Sequence, residues 1–128
     1  MKLLLDTHTL LWAMSNNPKL SVSAGSAVSK LGNEVFVSVA SVWEAAIKHR
    51  TGKLPEAAPL ANDPSRVLSR MRFTALPIQL KHAHTAGSLV SPHRDPFDRM
   101  LAAQALLEGL TLVSKDAVFD SMLVTRLW

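Results

Sequence analysis

Leu3-Leu4-Leu5-Asp6 is a wholly apolar run that ends in a carboxylate. A second run, residues 34–39, is rich in β-branched and aromatic side chains. Short, continuous apolar runs of this kind are typical of strands that are buried on both faces of a parallel sheet. Further strands are predicted at residues 73–78, 110–114 and 123–128.

Helical segments separate these strands. They are located by amphipathic spacing, by proline at the first position of a helix and by glycine after the last. We predict helices at residues 9–14, 21–31, 41–50, 65–72, 81–89 and 96–108, and a loop at residues 55–64, which contain three prolines. Strands that alternate with helices favour an α/β fold, in which helices cover both faces of one parallel sheet.

Length and composition limit the classes of protein to which the chain can belong. Its 128 residues predict a single domain over residues 1–128, and 48% apolar against 19% charged residues is a globular composition. No apolar run approaches the ~18 residues of a membrane span, and the N-terminal run is too short for a signal peptide, so we expect a cytoplasmic protein. The absence of cysteine excludes thiolate metal sites, and the net charge of +4 favours a polyanionic partner.

Four acidic residues stand at the boundaries of predicted elements. They are Asp6 after the first strand, Glu44 in the first turn of its helix, Asp98 at the start of the last helix, and Asp116 after the strand at 110–114. In open α/β sheets, ligands bind in the crevice beyond the carboxyl ends of the strands. We expect Asp6 and Asp116 to face that crevice.

Some of the acids have a good structural explanation. Ser41 and Glu44 have the spacing of a capping box, in which each side chain satisfies a backbone N–H at the start of a helix. Glu44 also precedes Lys48 by four residues, the favourable order for an ion pair on a helix. Asp95, followed by Pro96, is a predicted N-cap.

The other acids are more informative as a set. Asp6 and Asp116 are in place to cap the segments that follow them, whereas Asp98 heads an apolar stripe, where a carboxylate needs a partner. Several carboxylates within a few ångströms repel one another unless a divalent cation neutralises them. Oxygen ligands suit Mg²⁺ or Mn²⁺, and water bound to such an ion is activated to attack a phosphodiester.

Basic residues dominate the rest of the chain. Outside the four acids there are 14 basic and six acidic residues, an excess of eight positive charges, which suits a phosphodiester-cleaving site. Lys48, Lys53, Arg94 and Arg99 adjoin the acidic segments and are candidates to guide RNA phosphates toward the metal. The alternative for each of them is an ordinary surface charge or a partner of the acids.

Five blocks of sequence contain the acids and their neighbours: Leu4-Leu5-Asp6-Thr7-His8, residues 38–48, Gly52-Lys53-Leu54, residues 95–105, and Leu112-Val113-Ser114-Lys115-Asp116. Together they resemble PIN-domain proteins, and among these the VapC-type toxins of bacterial toxin–antitoxin modules. The resemblance covers nearly the whole chain in the family's order. It implies a three-layer αβα fold with a parallel sheet and an endoribonuclease that depends on Mg²⁺ or Mn²⁺. It also implies a homodimer that a cognate antitoxin inhibits.

The resemblance also assigns residues to roles. The family's acidic positions, which bind the metal and carry catalysis, correspond to Asp6, Glu44, Asp98 and Asp116. Asp95 matches a common but less essential acid. Thr7 and Ser114 are the candidates for the hydroxyl that the family often places near the metal. No core acid is missing, so the resemblance implies an active enzyme.

Several other residues are interpreted as structural. His82 and His84 are two positions apart and point to opposite sides of a helix, so we expect both on the surface and not on a shared metal. Trp12 and Trp43 are predicted to anchor the core or an interface, because the chain has only seven aromatic residues. His93 adjoins an acidic segment, where a local hydrogen bond is the more common role for a histidine.

The leading hypothesis is therefore a metal-dependent RNA endonuclease that acts as a toxin. An alternative is a non-catalytic module whose acids are only caps and whose basic face binds nucleic acid or protein. A third hypothesis is a phosphatase of small esters. It is the weakest, because Asp6-Thr7-His8 lacks the second aspartate, two residues on, that phosphoaspartyl enzymes use.

Overall fold

A computed structural model describes residues 1–128. It contains strands β1 (Lys2–Leu5), β2 (Glu34–Ser38), β3 (Thr74–Leu76), β4 (Thr111–Val113) and β5 (Arg126–Leu127). The α-helices are α1 (Thr7–Ser15), α2 (Val22–Ser29), α3 (Val39–Arg50), α4 (Ala58–Asn62), α5 (Pro64–Met71), α6 (Leu80–Ser88) and α7 (Pro96–Glu108). Two 3-10 helices cover Pro55–Ala57 and Ala117–Met122.

The five strands form one parallel sheet in the order β3-β2-β1-β4-β5. The chain adds β2 and β3 on one side of β1 and then crosses over to add β4 and β5 on the other side. The direction of winding therefore reverses at β1, and such a point leaves a crevice at the carboxyl ends of the strands. Asp6 follows β1 directly and lies at this point.

Helices cover both faces of the sheet, which confirms the predicted α/β architecture. Leu3 and Leu5 are buried in a core that includes side chains of α1 to α5. Leu4 is buried in a second core with side chains of α7 and the 3-10 helix at Ala117–Met122. Alternation of side chains along β1 explains this division, because neighbouring residues of a strand face opposite sides of the sheet. None of the helices has the length and apolar character needed to cross a bilayer.

The prediction of a loop at residues 55–64 is wrong. This segment forms the 3-10 helix Pro55–Ala57 and the whole of α4, and it buries Ala57 and Leu60 in the first core. Each of its prolines lies in the first turn of a helix, where the missing N–H has no intrahelical acceptor in any case. Three prolines therefore mark three helix starts and not an irregular loop.

Candidate active site

Asp6 is held between the central strand and the first helix. It is the N-cap of α1, and its Oδ1 accepts a hydrogen bond of 2.7 Å from the backbone N–H of Thr9. The hydroxyl of Ser114, which follows β4, donates to the other carboxylate oxygen. The Asp6 side chain is buried, so both of its oxygens are fixed by neighbours on two different elements.

The helix that carries Glu44 begins earlier than predicted. Its N-cap is Ser38, whose hydroxyl accepts a hydrogen bond of 3.0 Å from the N–H of Ala40. The predicted capping box of Ser41 and Glu44 is therefore wrong, and the buried Ser41 hydroxyl has no hydrogen-bond partner. The reason is that β2 runs directly into α3, so Ser38 is the first hydroxyl available to the helix. Glu44 consequently lies in the second turn and not at the cap.

Glu44 is buried and makes two side-chain contacts. Its Oε1 accepts a hydrogen bond of 2.5 Å from the hydroxyl of Thr7, and its Oε2 lies 2.6 Å from Nζ of Lys48. The second contact confirms the predicted ion pair one turn along α3. The first brings Glu44 to the site of Asp6, because Thr7 is the next residue of the chain.

Asp98 lies in the first turn of α7, three residues after the predicted N-cap Asp95. Asp95 is the N-cap and accepts hydrogen bonds from the backbone N–H groups of residues 97 and 98, as expected. Nε2 of His93 lies 2.8 Å from Oδ2 of Asp98 and is the partner that this carboxylate needs. The pKa of Asp98 is raised to about 6: burial is the largest cause, the charges of Asp95 and Glu44 act in the same direction, and the His93 contact opposes them. Asp98 and Glu44 are thus close enough to repel one another.

Asp116 is connected to Asp6 through Ser114. Its Oδ1 caps the 3-10 helix Ala117–Met122 by accepting a hydrogen bond of 3.0 Å from the N–H of Val118. Its own backbone N–H donates to the Ser114 hydroxyl, which in turn donates to Asp6. Asp6 and Asp116 also line one surface pocket together with Trp12. Both therefore act as helix caps at the edge of the crevice, as their positions in the sequence indicate.

The predicted basic residues differ in their surroundings. Lys48 contacts Glu44, while Lys53 and Arg94 are exposed and make no side-chain hydrogen bond or ion pair. The guanidinium of Arg99 donates to four backbone carbonyls of the segment before α7. Arg99 is thus engaged within the protein, and its predicted role in guiding phosphates stays a prediction.

A sequence model of the PIN domain matches residues 3–122. The chain belongs to the PIN domain family. Ribonuclease VapC16 from Mycobacterium tuberculosis is 45% identical to this PIN domain over 60 residues, which are 46% of this chain and 40% of that protein. The aligned part therefore spans less than half the length of that relative.

Solved structures share the fold of this PIN domain over nearly its whole length. VapBC2 from Rickettsia felis bound to a DNA fragment from their promoter has a TM-score of 0.74 at 18% identity, covering 99% of this chain and 98% of that one. FitAcB from Neisseria gonorrhoeae has a TM-score of 0.70 at 18% identity, covering 98% and 96%. VapBC-1 from nontypeable Haemophilus influenzae has a TM-score of 0.69 at 17% identity, covering 99% and 97%. The resemblance to VapC-type PIN domains is confirmed.

The acidic residues of this PIN domain do not form a ready-made metal cage. No group of three histidine, aspartate or glutamate side chains is arranged to hold a metal ion. Each carboxylate is turned toward a donor of the protein, with Asp6 on Ser114 and Glu44 on Thr7 and Lys48. The donor set nevertheless suits a hard cation, because it consists of carboxylate oxygens; Asp6 and Glu44 are buried, Asp98 is half-buried and Asp116 is exposed. The pKa of Asp98 is raised mainly by burial and to a smaller extent by the charges of Asp95 and Glu44, so the ionised form of this carboxyl would gain from a cation.

Two contacts of the site were not predicted. His93 was expected to make a local hydrogen bond, but its partner Asp98 was not foreseen. The signal was present, because His93 stands two residues before the N-cap Asp95 and the chain turns there into α7. Arg126 donates a hydrogen bond of 3.1 Å to the backbone carbonyl of Ser114, and no pattern in the sequence indicated it.

The predicted surface position of His82 is wrong. His82 is fully buried, with Nδ1 accepting from the Gln79 N–H and Nε2 bonded to Glu108, because it occupies the third position of α6 and completes a capping box there. His84 is exposed, as expected. Trp43 is 61% exposed and packs edge-on against Phe97, so it is not part of the core, and its predicted role as an interface anchor stays a prediction.

Proposed function

We propose that this PIN domain is an endoribonuclease that depends on Mg²⁺ or Mn²⁺ and cleaves RNA phosphodiester bonds. One observation carries the proposal: Asp98 and Glu44 lie within range of each other's charge, and the pKa of Asp98 is about 6 in the absence of a cation. A carboxylate at the head of a helix gains from the helix dipole, so repulsion and burial must outweigh that gain. A divalent cation would remove the conflict.

The residues of the site have separate tasks in this proposal. Asp6, Glu44 and Asp98 would hold the ion, and Asp116 would support it from beside Ser114. When bound, the ion supplies an activated water and stabilises the charge that develops on the phosphoryl oxygen.

The residues around these carboxylates determine how well they are oriented. Thr7 fixes one oxygen of Glu44, and Ser114 and the Thr9 N–H fix both oxygens of Asp6. His93 fixes one oxygen of Asp98, whose other oxygen accepts no hydrogen bond. Partners of this kind orient metal ligands, and their removal commonly lowers metal affinity or activity by about 10- to 100-fold.

In this proposal, basic residues near the acids attract the polyanionic substrate. Arg94 is exposed on the loop before α7 and is free to bond a phosphate through two parallel N–H groups. Lys48 is about one-third exposed beside Glu44 and would attract a phosphate as a point charge. Lys48 contacts Glu44, and Arg94 directly precedes Asp95 in the chain, so in this proposal both cations draw a phosphodiester toward the carboxylates.

The biological role in this proposal is that of a toxin in a type II toxin–antitoxin module. The similarity to ribonuclease VapC16 supports the activity, and the shared fold with VapBC structures supports a cognate antitoxin as partner. A homodimer in the cytoplasm is the form that we expect for the toxin.

Cleavage of RNA by purified protein tests the proposal. We expect cleavage with Mn²⁺ or Mg²⁺ and none after chelation, and sequencing of the cut ends would define the substrate. Asp6→Asn should fold normally, because asparagine caps a helix as well as aspartate does, and it should lose about 100-fold or more in kcat/KM. The matched control is Asp63→Asn, which changes the N-cap of α5 away from the site. Full activity in folded Asp6→Asn would contradict the proposal.

A second candidate is a non-catalytic module of the same fold that binds nucleic acid or protein. The observation in its favour is that Asp6, Asp95 and Asp116 all serve as helix caps. Titration with Mn²⁺ separates the two, because an ion that binds only the folded state raises the melting temperature. A melting temperature that does not respond, together with intact RNA, would favour the binding module.

A further inference from the structure

The side chain of Arg99, which the proposed function leaves unused, bonds the loop between α6 and α7 at several points. Nε of Arg99 donates to the carbonyl of Ala86 over 2.9 Å, and Nη2 donates to the carbonyl of Leu89 over 2.6 Å. Nη1 donates to the carbonyls of Ser91 and His93, over 3.2 and 3.0 Å. One guanidinium thus bonds four acceptors within eight consecutive residues.

These four bonds determine the shape of the loop. Ala86 lies in the last turn of α6, where carbonyls have no intrahelical partner, and residues 89–95 have no regular structure of their own. The planar guanidinium has five N–H donors in a fixed fork, so it can gather carbonyls from several directions at once. A lysine ammonium carries the same charge but cannot reproduce this geometry.

The same loop carries the partner of Asp98. His93 is bonded to Arg99 through its backbone carbonyl, while its ring nitrogen lies 2.8 Å from the Asp98 carboxylate. No other hydrogen bond involves the Asp98 side chain. The placement of His93 by Arg99 therefore decides which way the Asp98 carboxylate faces.

We infer that Arg99 is a positioning residue, which orients the Asp98 carboxylate through His93 and does not itself contact RNA. This inference rests on the proposed function, because it takes Asp98 as a working part of the cleavage site. A residue that positions a catalytic carboxylate affects the rate of cleavage in the enzyme–substrate complex more than it affects the binding of substrate. Arg99→Lys should therefore lower kcat by about 10- to 100-fold with KM little changed.

A double-mutant cycle separates positioning from substrate contact. If Arg99 acts through His93, Arg99→Lys should cause no further loss of kcat in a His93→Ala background. The control variant is Arg70→Lys, since Arg70 is exposed on α5 and its side chain makes no hydrogen bond or ion pair. Losses that add in the double variant, or a rise in KM with kcat unchanged, would overturn the inference and indicate that Arg99 contacts RNA.

Nuclear magnetic resonance of the metal-free protein tests the same point without any activity. In the wild type we expect separate, slowly exchanging signals for the Nη protons of Arg99 and a hydrogen-bonded signal at Nε2 of His93. Arg99→Lys should abolish the His93 signal, and Arg70→Lys should leave it in place. If the Nη signals show that the Arg99 guanidinium rotates freely in the wild type, the inference is wrong. This outcome is decisive even if the lysine variant fails to fold.

The two readouts distinguish the possible failures. If the signals behave as expected but no RNA is cleaved, the proposed function is wrong and the positioning of Asp98 stands. If RNA is cleaved but Arg99→Lys changes neither kcat nor the His93 signal, the positioning role is wrong and the proposed function stands.

Discussion

The Ser114 hydroxyl donates a hydrogen bond to the carboxylate of Asp6, and 108 positions of sequence separate the two residues. Both side chains are buried, so loss of the hydroxyl leaves a charged oxygen without its partner. We expect Ser114→Ala to lower the free energy of unfolding by about 1–3 kcal/mol, measured by urea denaturation. Ser69→Ala, which removes an exposed hydroxyl without a partner, is the control. Equal stability of the two variants would show that the Ser114 contact contributes nothing.

Asp98 should make the stability of the metal-free protein depend on pH. Its pKa is about 6 in the folded protein against an ordinary value of 3.8, so between these values the native state holds a proton that the unfolded chain has lost. Stability should therefore fall as the pH rises through this window. Asp98→Asn removes this dependence and should be more stable than the wild type at neutral pH, by up to about 3 kcal/mol. Parallel melting curves of the two proteins from pH 4 to 7 provide the measurement.

A cation and a proton should compete for the Asp98 carboxylate. Below a pH of about 6 the proton occupies Asp98, and above it the carboxylate is free to bind an ion. The rise in melting temperature caused by Mn²⁺ should therefore be larger at pH 7 than at pH 5. A rise of the same size at both values would place the ion away from Asp98.

Lys48 competes with any cation for Glu44. Its ammonium lies 2.6 Å from Oε2, which is an oxygen that a metal ion would need. Lys48→Met should therefore strengthen Mn²⁺ binding, by several-fold in the dissociation constant from calorimetry. Lys30→Met loses the same charge from an exposed position without a partner and should bind Mn²⁺ like the wild type. Weaker binding in Lys48→Met would mean that Lys48 organises Glu44 for the ion and does not compete with it.

His82 fastens α6 to α7 from a fully buried position. The Gln79 N–H donates to its Nδ1 over 2.9 Å, so Nε2 carries the proton that is donated to Glu108. His82→Leu replaces the imidazole with an apolar side chain of similar size and leaves the Gln79 N–H unpaired. We expect a loss of about 1–3 kcal/mol in the free energy of unfolding. His84→Leu, on the exposed side of the same helix, should change stability little.

Much of the fold could be predicted from the sequence, because its signals are local. The apolar run Leu3-Leu4-Leu5 and the β-branched residues at 34–39 are sufficient for two buried strands of a parallel sheet. The bounds of α7 were predicted to the residue, since Asp95, Pro96 and Gly109 mark its cap, its first position and its left-handed end. The segment at 55–64 was misjudged because proline both interrupts helices and begins them.

The places of the acidic residues in the fold were easier to predict than their contacts. Asp6 and Asp116 follow strands, so the topology alone brings them to one edge of the sheet. The contacts of Glu44 with Thr7 and of Arg99 with four carbonyls join residues far apart in the chain or depend on loop geometry, which residue spacing does not encode. Ligation of a metal by the four acids stays a prediction.

The central position of β1 has a consequence for synthesis of the protein. β1 leaves the ribosome before the other four strands, yet one of its two neighbours in the sheet, β4, begins only at Thr111. A nascent chain cannot complete this pairing, or bring Ser114 to Asp6, until residues 111–114 have emerged as well. While the intervening residues are synthesised, the Asp6 carboxylate therefore lacks the hydroxyl that holds it in the folded protein.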